Sequence, residues 1–254
     1  MKRSLFLVYG VLAYLAFFGT ILYAIGFVGN LFVPKAIDGP VQVPLANAIL
    51  IDSSLLLLFA LQHSIMARPG FKKWWTRLVP TPIERSTFVL LASLCLMLMM
   101  WQWQPIGGII WSVQNETAKT ILIAIYLVGW AIVFISTFLI NHFDLFGLRQ
   151  TWFSFRGTPY SPLPFRIPLF YRFVRHPLYL GFLVAFWSTP VMTAAHLLFA
   201  ILTTAYIFTA IKLEEKDLLT HFGDKYSSYK RWVPKIIPFT RKNANKETTY
   251  EDAA

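Results

Sequence analysis

The chain has 254 residues, 56% of them hydrophobic and only 14% charged, with a formal net charge of +11. Soluble domains carry about 25% charged residues, so this composition leaves too little polar surface for a water-soluble fold. The positive balance does not point to nucleic acid, because no basic stripe interleaves with polar surface and no nucleic-acid motif occurs. The single cysteine, Cys95, lies among Leu94, Leu96 and Met97 and has no disulfide partner, so it reads as core filler.

A helix needs about 20 apolar residues to cross a bilayer. Four runs qualify, over 5–28, 45–66, 86–103 and 119–140. The first lacks a signal-peptide cleavage site and is expected to be retained. Residues 148–174 hold no span-length run but carry Pro159, Pro162, Pro164 and Pro168 among aromatics. Loops of this length are uncommon and often act as lids. Two shorter runs, 178–192 and 195–211, flank a break at Pro190 and predict a helical hairpin turning near the far face of the membrane. The expectation is an all-α integral membrane protein of six segments, four long and two in a shorter C-terminal hairpin. It is read as one domain over 1–242, followed by a disordered polar tail over 243–254.

Loop charge sets the expected orientation. Lys2 and Arg3 precede the first span, Arg68, Lys72, Lys73, Arg77 and Arg85 fill the second connection, and Arg149, Arg156, Arg166, Arg172 and Arg175 fill the fourth. The intervening loops are nearly neutral, which places both termini in the cytoplasm of an inner membrane. Trp101, Trp103 and Trp111 suit the aromatic belt on the opposite side.

With this topology the polar groups of the spans collect at one depth. His63 ends the second span, His142 and Asp144 end the fourth, His176 and Tyr179 begin the fifth, and Glu214 and Glu215 follow the sixth. Asp52, near the outer end, reads as a helix–helix contact. A histidine near a span's end is functional by default. It can also simply bridge two helices, and for His63 both readings stand. For His142 and Asp144 the structural alternative is helix termination with an Asp144–Arg149 ion pair.

Arg175-His176-Pro177-Leu178-Tyr179-Leu180-Gly181, then Glu214-Glu215, Phe222-Gly223, Tyr226 and Tyr229, resembles the signature of the isoprenylcysteine carboxyl methyltransferase superfamily. Stretches 61–69 and 141–150 are similar to its NnrU-like branch, and within it to the bacterial enzymes that methylate methanethiol. The resemblance runs from about residue 5 to 239. It implies a membrane enzyme that uses S-adenosylmethionine in a cytoplasm-facing pocket, forming dimethyl sulfide from a small thiol. It assigns cofactor contacts to Tyr171, His176, Pro177, Leu178, Tyr179 and Glu214, with Pro164 and Phe165 in the covering loop. Arg175, His63, His142 and Asp144 are the candidate catalytic residues, one histidine taking the thiol proton. The prenylcysteine enzymes carry an arginine where this chain has Ala210, so a carboxylate substrate is disfavoured. No metal, nucleic acid or obligate protein partner is expected. Two alternatives remain at this stage: a nicotinamide-dependent reductase of the same superfamily, and a non-enzymatic membrane protein of nitrogen-oxide metabolism.

Overall fold

A computed structural model describes residues 1–240, so the expected disordered tail lies outside the described residues. In chain order the elements are α1 (Lys2–Gly29), α2 (Leu45–Ala67), α3 (Pro69–Trp75), α4 (Thr81–Gln102), β1 (Ile109–Ser112), α5 (Glu116–Ile140), α6 (His142–Leu145) and α7 (Leu148–Arg156). A 3₁₀ turn (Leu169–Arg172) follows, then α8 (Pro177–Trp187), β2 (Val191–Thr193), α9 (Ala194–Phe222) and α10 (Asp224–Trp232). Helices α1, α2, α4, α5 and α9 are long and apolar enough to cross a membrane.

Local chemistry sets the helix ends. The Asn115 side chain accepts from Ala118 N at 2.9 Å and starts α5. Asn141, in the left-handed region at φ 99°, stops α5 and caps α6 by accepting from Asp144 N. Thr193 Oγ1 accepts from His196 N at 3.1 Å and opens α9.

Pairwise packing closes the helices into a ring: α1 on α4, α4 on α2, α2 on α9, α9 on α8, α8 on α5, and α5 back on α1. The closest contact is between α5 and α8. A Cβ added at Gly181 would lie 2.7 Å from Gly129 O, and one at Gly129 would lie 2.6 Å from Ala185 N. Only glycine lets two helix backbones approach this far. Trp103, fully buried, fills one half of the ring, edge-on to Phe27 at 6.0 Å and to Phe199 at 5.9 Å. Around the outside, α1 exposes Leu5, Val8, Leu12 and Leu15, a surface suited to lipid.

Three sequence expectations change. The all-α reading misses a two-stranded antiparallel ribbon, in which Trp111 faces Met192 and Ser112 faces Val191. Next, α8 stops at Trp187 after 11 residues, because the following Ser-Thr-Pro segment leaves the helix and leads into β2. Finally, α9 runs on to Phe222, well past the expected end at 211. Glu214 and Glu215 therefore sit about two turns inside a helix rather than at its C-terminus. The helix dipole does not set their energetics; their neighbours do. The stretch expected as a lid contains α7 and the 3₁₀ turn, and α7 packs on α1 and α4.

Replacing Gly181 by valine forces a side chain into the α5 backbone. Overpacking of this kind costs about 1–3 kcal/mol. Thermal unfolding of the detergent-purified variant should begin at a lower temperature than wild type, and an equivalent change at Gly19, which faces open space, should have no such effect.

Candidate active site

The site forms where α8 begins beside the C-terminal third of α9. Pro177 occupies the first helical position of α8, where its missing N–H is harmless. Just before it, Arg175 N donates to Pro234 O at 2.9 Å and His176 N donates to Lys235 O at 3.2 Å. These two bonds clamp the turn to the segment following α10. Tyr229 on α10 adds a hydroxyl donated to Tyr171 O at 2.6 Å.

Within this clamp Glu215 is the hub. Its side chain is 6% exposed; Oε1 lies 3.1 Å from Arg175 Nη2 and 3.2 Å from His176 Nε2, and Oε2 lies 3.1 Å from Lys230 Nζ. One buried carboxylate thus ties together α8, α9 and α10. A buried pair contributes little net stability, but removing one partner leaves an uncompensated charge.

Glu214 is different. Its side chain is 44% exposed and stands 3.8 Å from His176 Nδ1. The Tyr179 side chain lies beside it. Burial, and then the Glu214 charge, push the Tyr171 phenol above its ordinary pKa. The structure therefore groups Tyr171, His176, Tyr179 and Glu214 around one carboxylate that is not consumed by the clamp. Arg175 Nε and Nη1 and the Tyr226 hydroxyl are buried at the Glu215 clamp without hydrogen-bond partners. Unmet groups of this kind are scarce in folded proteins and mark places where a ligand can complete the bonding. Phe165 packs against Phe222 at 5.1 Å and Tyr229 at 5.7 Å, walling the Tyr226 side. Pro164 is exposed, Leu178 is half-buried and Pro177 is fully buried.

The candidate bases fall in different places. His63 lies 5.3 Å from the Phe59 ring and 4.9 Å from Phe88, with Nδ1 buried and unpartnered. Phe59 also meets Tyr206 edge-on at 6.0 Å, and Ser64 Oγ donates to the Tyr206 hydroxyl at 3.3 Å. An Arg68–Asp217 ion pair at 2.8 Å closes α2 on α9 just beyond. His63 is thereby joined through Phe59 and Tyr206 to α9, the helix that carries Glu214. His142 is not. Its Nε2 meets the Tyr14 hydroxyl at 2.8 Å, its Nδ1 meets Thr137 Oγ1 at 2.8 Å, and its ring stacks on Phe138 at 4.2 Å. Both nitrogens are engaged in holding α1 to the end of α5. Asp144 pairs with Arg149 at 2.9 Å and accepts from Tyr160 at 3.0 Å, within the α6–α7 turn. Neither belongs to the Glu214 group.

Sequence reasoning missed Tyr206, Lys230, Arg68 and Asp217, and named Glu215 without giving it a role. Tyr206 carries a legible signal: it lies about two helical turns before Glu214, on an otherwise apolar stretch.

Five helices long and apolar enough to cross a membrane, with ionisable side chains clustered at one end, make this a multi-pass membrane protein. The chain is 54% identical to the methanethiol S-methyltransferase of Crocosphaera subtropica over 96% of both chains. It is 51% identical to that of Mycobacterium tuberculosis over 96% of this chain and 100% of the relative. Nurim of Sus scrofa is 32% identical over 71% of this chain and 70% of its own. No protein-family model and no solved structure matches. The chain belongs to the methanethiol S-methyltransferase family and is a methyltransferase.

Glu215→Ala should cost about 3–5 kcal/mol, because Arg175 would stay buried without its counter-charge. The double change Arg175→Met with Glu215→Leu should recover much of that loss, since apolar replacements often equal a buried pair. Denaturation of purified single and double variants checks both.

Proposed function

We propose that this protein transfers a methyl group from S-adenosylmethionine to methanethiol, giving dimethyl sulfide. The observation that carries the reading is the half-exposed Glu214 held against His176, Tyr179 and Tyr171 in a chain of this family. The residues fit the cofactor. Glu214 offers a carboxylate to its cationic groups, and the unsatisfied Arg175 and Tyr226 donors can meet its carboxylate or hydroxyls. When bound, the cofactor supplies an electrophilic methyl group on a sulfonium that leaves as a neutral thioether.

The protein's own work is to position and to take a proton. A small alkanethiol is mostly protonated at neutral pH and needs a base to become nucleophilic. His63, with its unpartnered Nδ1 among Phe59 and Phe88, is that base. It accepts the S–H proton while the sulfur lone pair forms the new S–C bond. His142, with both nitrogens occupied, acts as a structural tie. Phe59, Phe88 and Tyr206 give the thiol an apolar wall that excludes water. In the bilayer the basic end faces the cytoplasm, where the methyl donor is made. Helix α8 counts as a sixth, short crossing in an inner-membrane protein whose termini are both cytoplasmic.

Membranes containing the protein, given methanethiol and S-adenosylmethionine, should release dimethyl sulfide into the headspace. A trace no higher than that of control membranes overturns the reading. Glu214→Ala should weaken S-adenosylhomocysteine binding about 10–100-fold by calorimetry, a charge-assisted contact being worth roughly 1.5–3 kcal/mol. His63→Ala should lower turnover by about 10²–10⁴ with that affinity intact, and raising the pH should restore part of the rate as the thiol ionises unaided. Equal rates for His63→Ala and wild type at neutral pH would remove His63 from the proton transfer.

A further inference from the structure

A cavity lined by residues other than the Glu214 group lies at the same end of the bundle. Its volume is about 560 Å³, and α3, the first turn of α4, α7 and the loop after α7 line it. That size is in the range of small-ligand sites. Three cations border it, Arg3, Lys72 and Arg85, against one carboxylate, Glu84.

Three observations separate this arrangement from ordinary basic loops. Other arginines at this end, Arg68, Arg149 and Arg175, form ion pairs with Asp217, Asp144 and Glu215. Arg3, Lys72 and Arg85 form no ion pair among the described residues. Lys72 and Arg85 are half-buried, and Arg3 is exposed. Arg3 lies against the backbone of Gly157, where a Cβ would meet its Nη1 at 2.5 Å, and Arg85 spreads over Phe88 at 5.9 Å. Lys72 is drawn in far enough that burial, followed by Arg85, lowers its pKa. Like charges held together around an open space are unfavourable without an anion between them. The start of α4 also opens on the cavity with no side-chain cap, so its dipole adds to the positive field.

We infer that this cavity binds the phosphate of an anionic glycerophospholipid. Phosphate is the chemistry that several converging Arg and Lys donors recognise. The lipid source follows from position. Helix α3, which supplies Lys72, carries exposed Trp74, and Leu78 just after it is 67% exposed, as at a membrane–water boundary. Basic pockets between membrane helices are where anionic headgroups dock. The methyl donor is excluded by charge, because a sulfonium would enter a field of three cations. The inference does not rest on the methyl-transfer reading, and its test measures binding rather than turnover.

The test titrates detergent-purified full-length protein with dioctanoyl phosphatidylglycerol, dioctanoyl phosphatidylcholine or inorganic phosphate and follows the Tm. At about tenfold over Kd the anionic lipid should raise Tm by roughly 3–6 °C. Phosphatidylcholine should not, and Lys72→Gln with Arg85→Gln should abolish the rise, while Lys73→Gln, an exposed neighbour, keeps it. An equal rise with phosphatidylcholine, or a rise that survives the double variant, overturns the site. A rise with inorganic phosphate as large as with the anionic lipid overturns the lipid assignment. Should the double variant unfold early by itself, Arg3→Gln alone must still lower the apparent affinity several-fold, and an unchanged affinity refutes the proposal.

Discussion

A single carboxylate, Glu215, decides how the C-terminal third of the chain is arranged. With 6% of its side chain exposed, it needs compensating partners wherever it sits, and it meets the cations Arg175 and Lys230 and the ring of His176. Arg175 and His176 come from the turn before α8 and Lys230 from α10, so the charge balance can be satisfied only when that turn, the body of α9 and the face of α10 are together. The adjacent Glu214 inherits its setting from that closure. It is on the same helix turned by about 100°, so it faces away from the clamp and toward Tyr179 and Tyr171. One glutamate builds the site and its neighbour is left available to it.

The other long-range constraint is steric. Gly129 and Gly181 bring α5 and α8 into backbone contact, which fixes the start of α8 relative to the long apolar helices. In lipid no hydrophobic force drives helices together, and close packing of small residues does that work. Trp103 and its aromatic neighbours fill the opposite half of the ring.

Much of this was legible in the sequence, for identifiable reasons. Four of the five long helices follow from apolar run length alone. The grouping of Tyr171, His176, Tyr179 and Glu214 follows from the motif and from the depth those residues share. What stayed hidden depends on partners remote in sequence. Nothing local to His142 reveals that Tyr14 and Thr137 occupy both its nitrogens. Nor does the Glu214-Glu215 pair itself say which member is buried; that is set by Arg175 and Lys230 arriving from either side. The end of the sixth apolar run at 211 was mistaken for a helix end because hydropathy changes there, whereas α9 continues as a polar helix out of the apolar layer. Strands β1 and β2 are too short to show any alternation.

That ribbon has a consequence for how the molecule is made. Trp111 Nε1 donates to Thr189 O at 3.2 Å, and β1 finds β2 only after α5, α6, α7 and α8 have been synthesised. A ribosome feeding this chain into a membrane therefore delivers the first four long helices while the connection between α4 and α5 still lacks its mate. The ribbon can close only once β2 has been made, and α9 with Glu215 follows directly behind it. A chain cut before β2 therefore lacks both the ribbon at one face and the Glu215 clamp at the other.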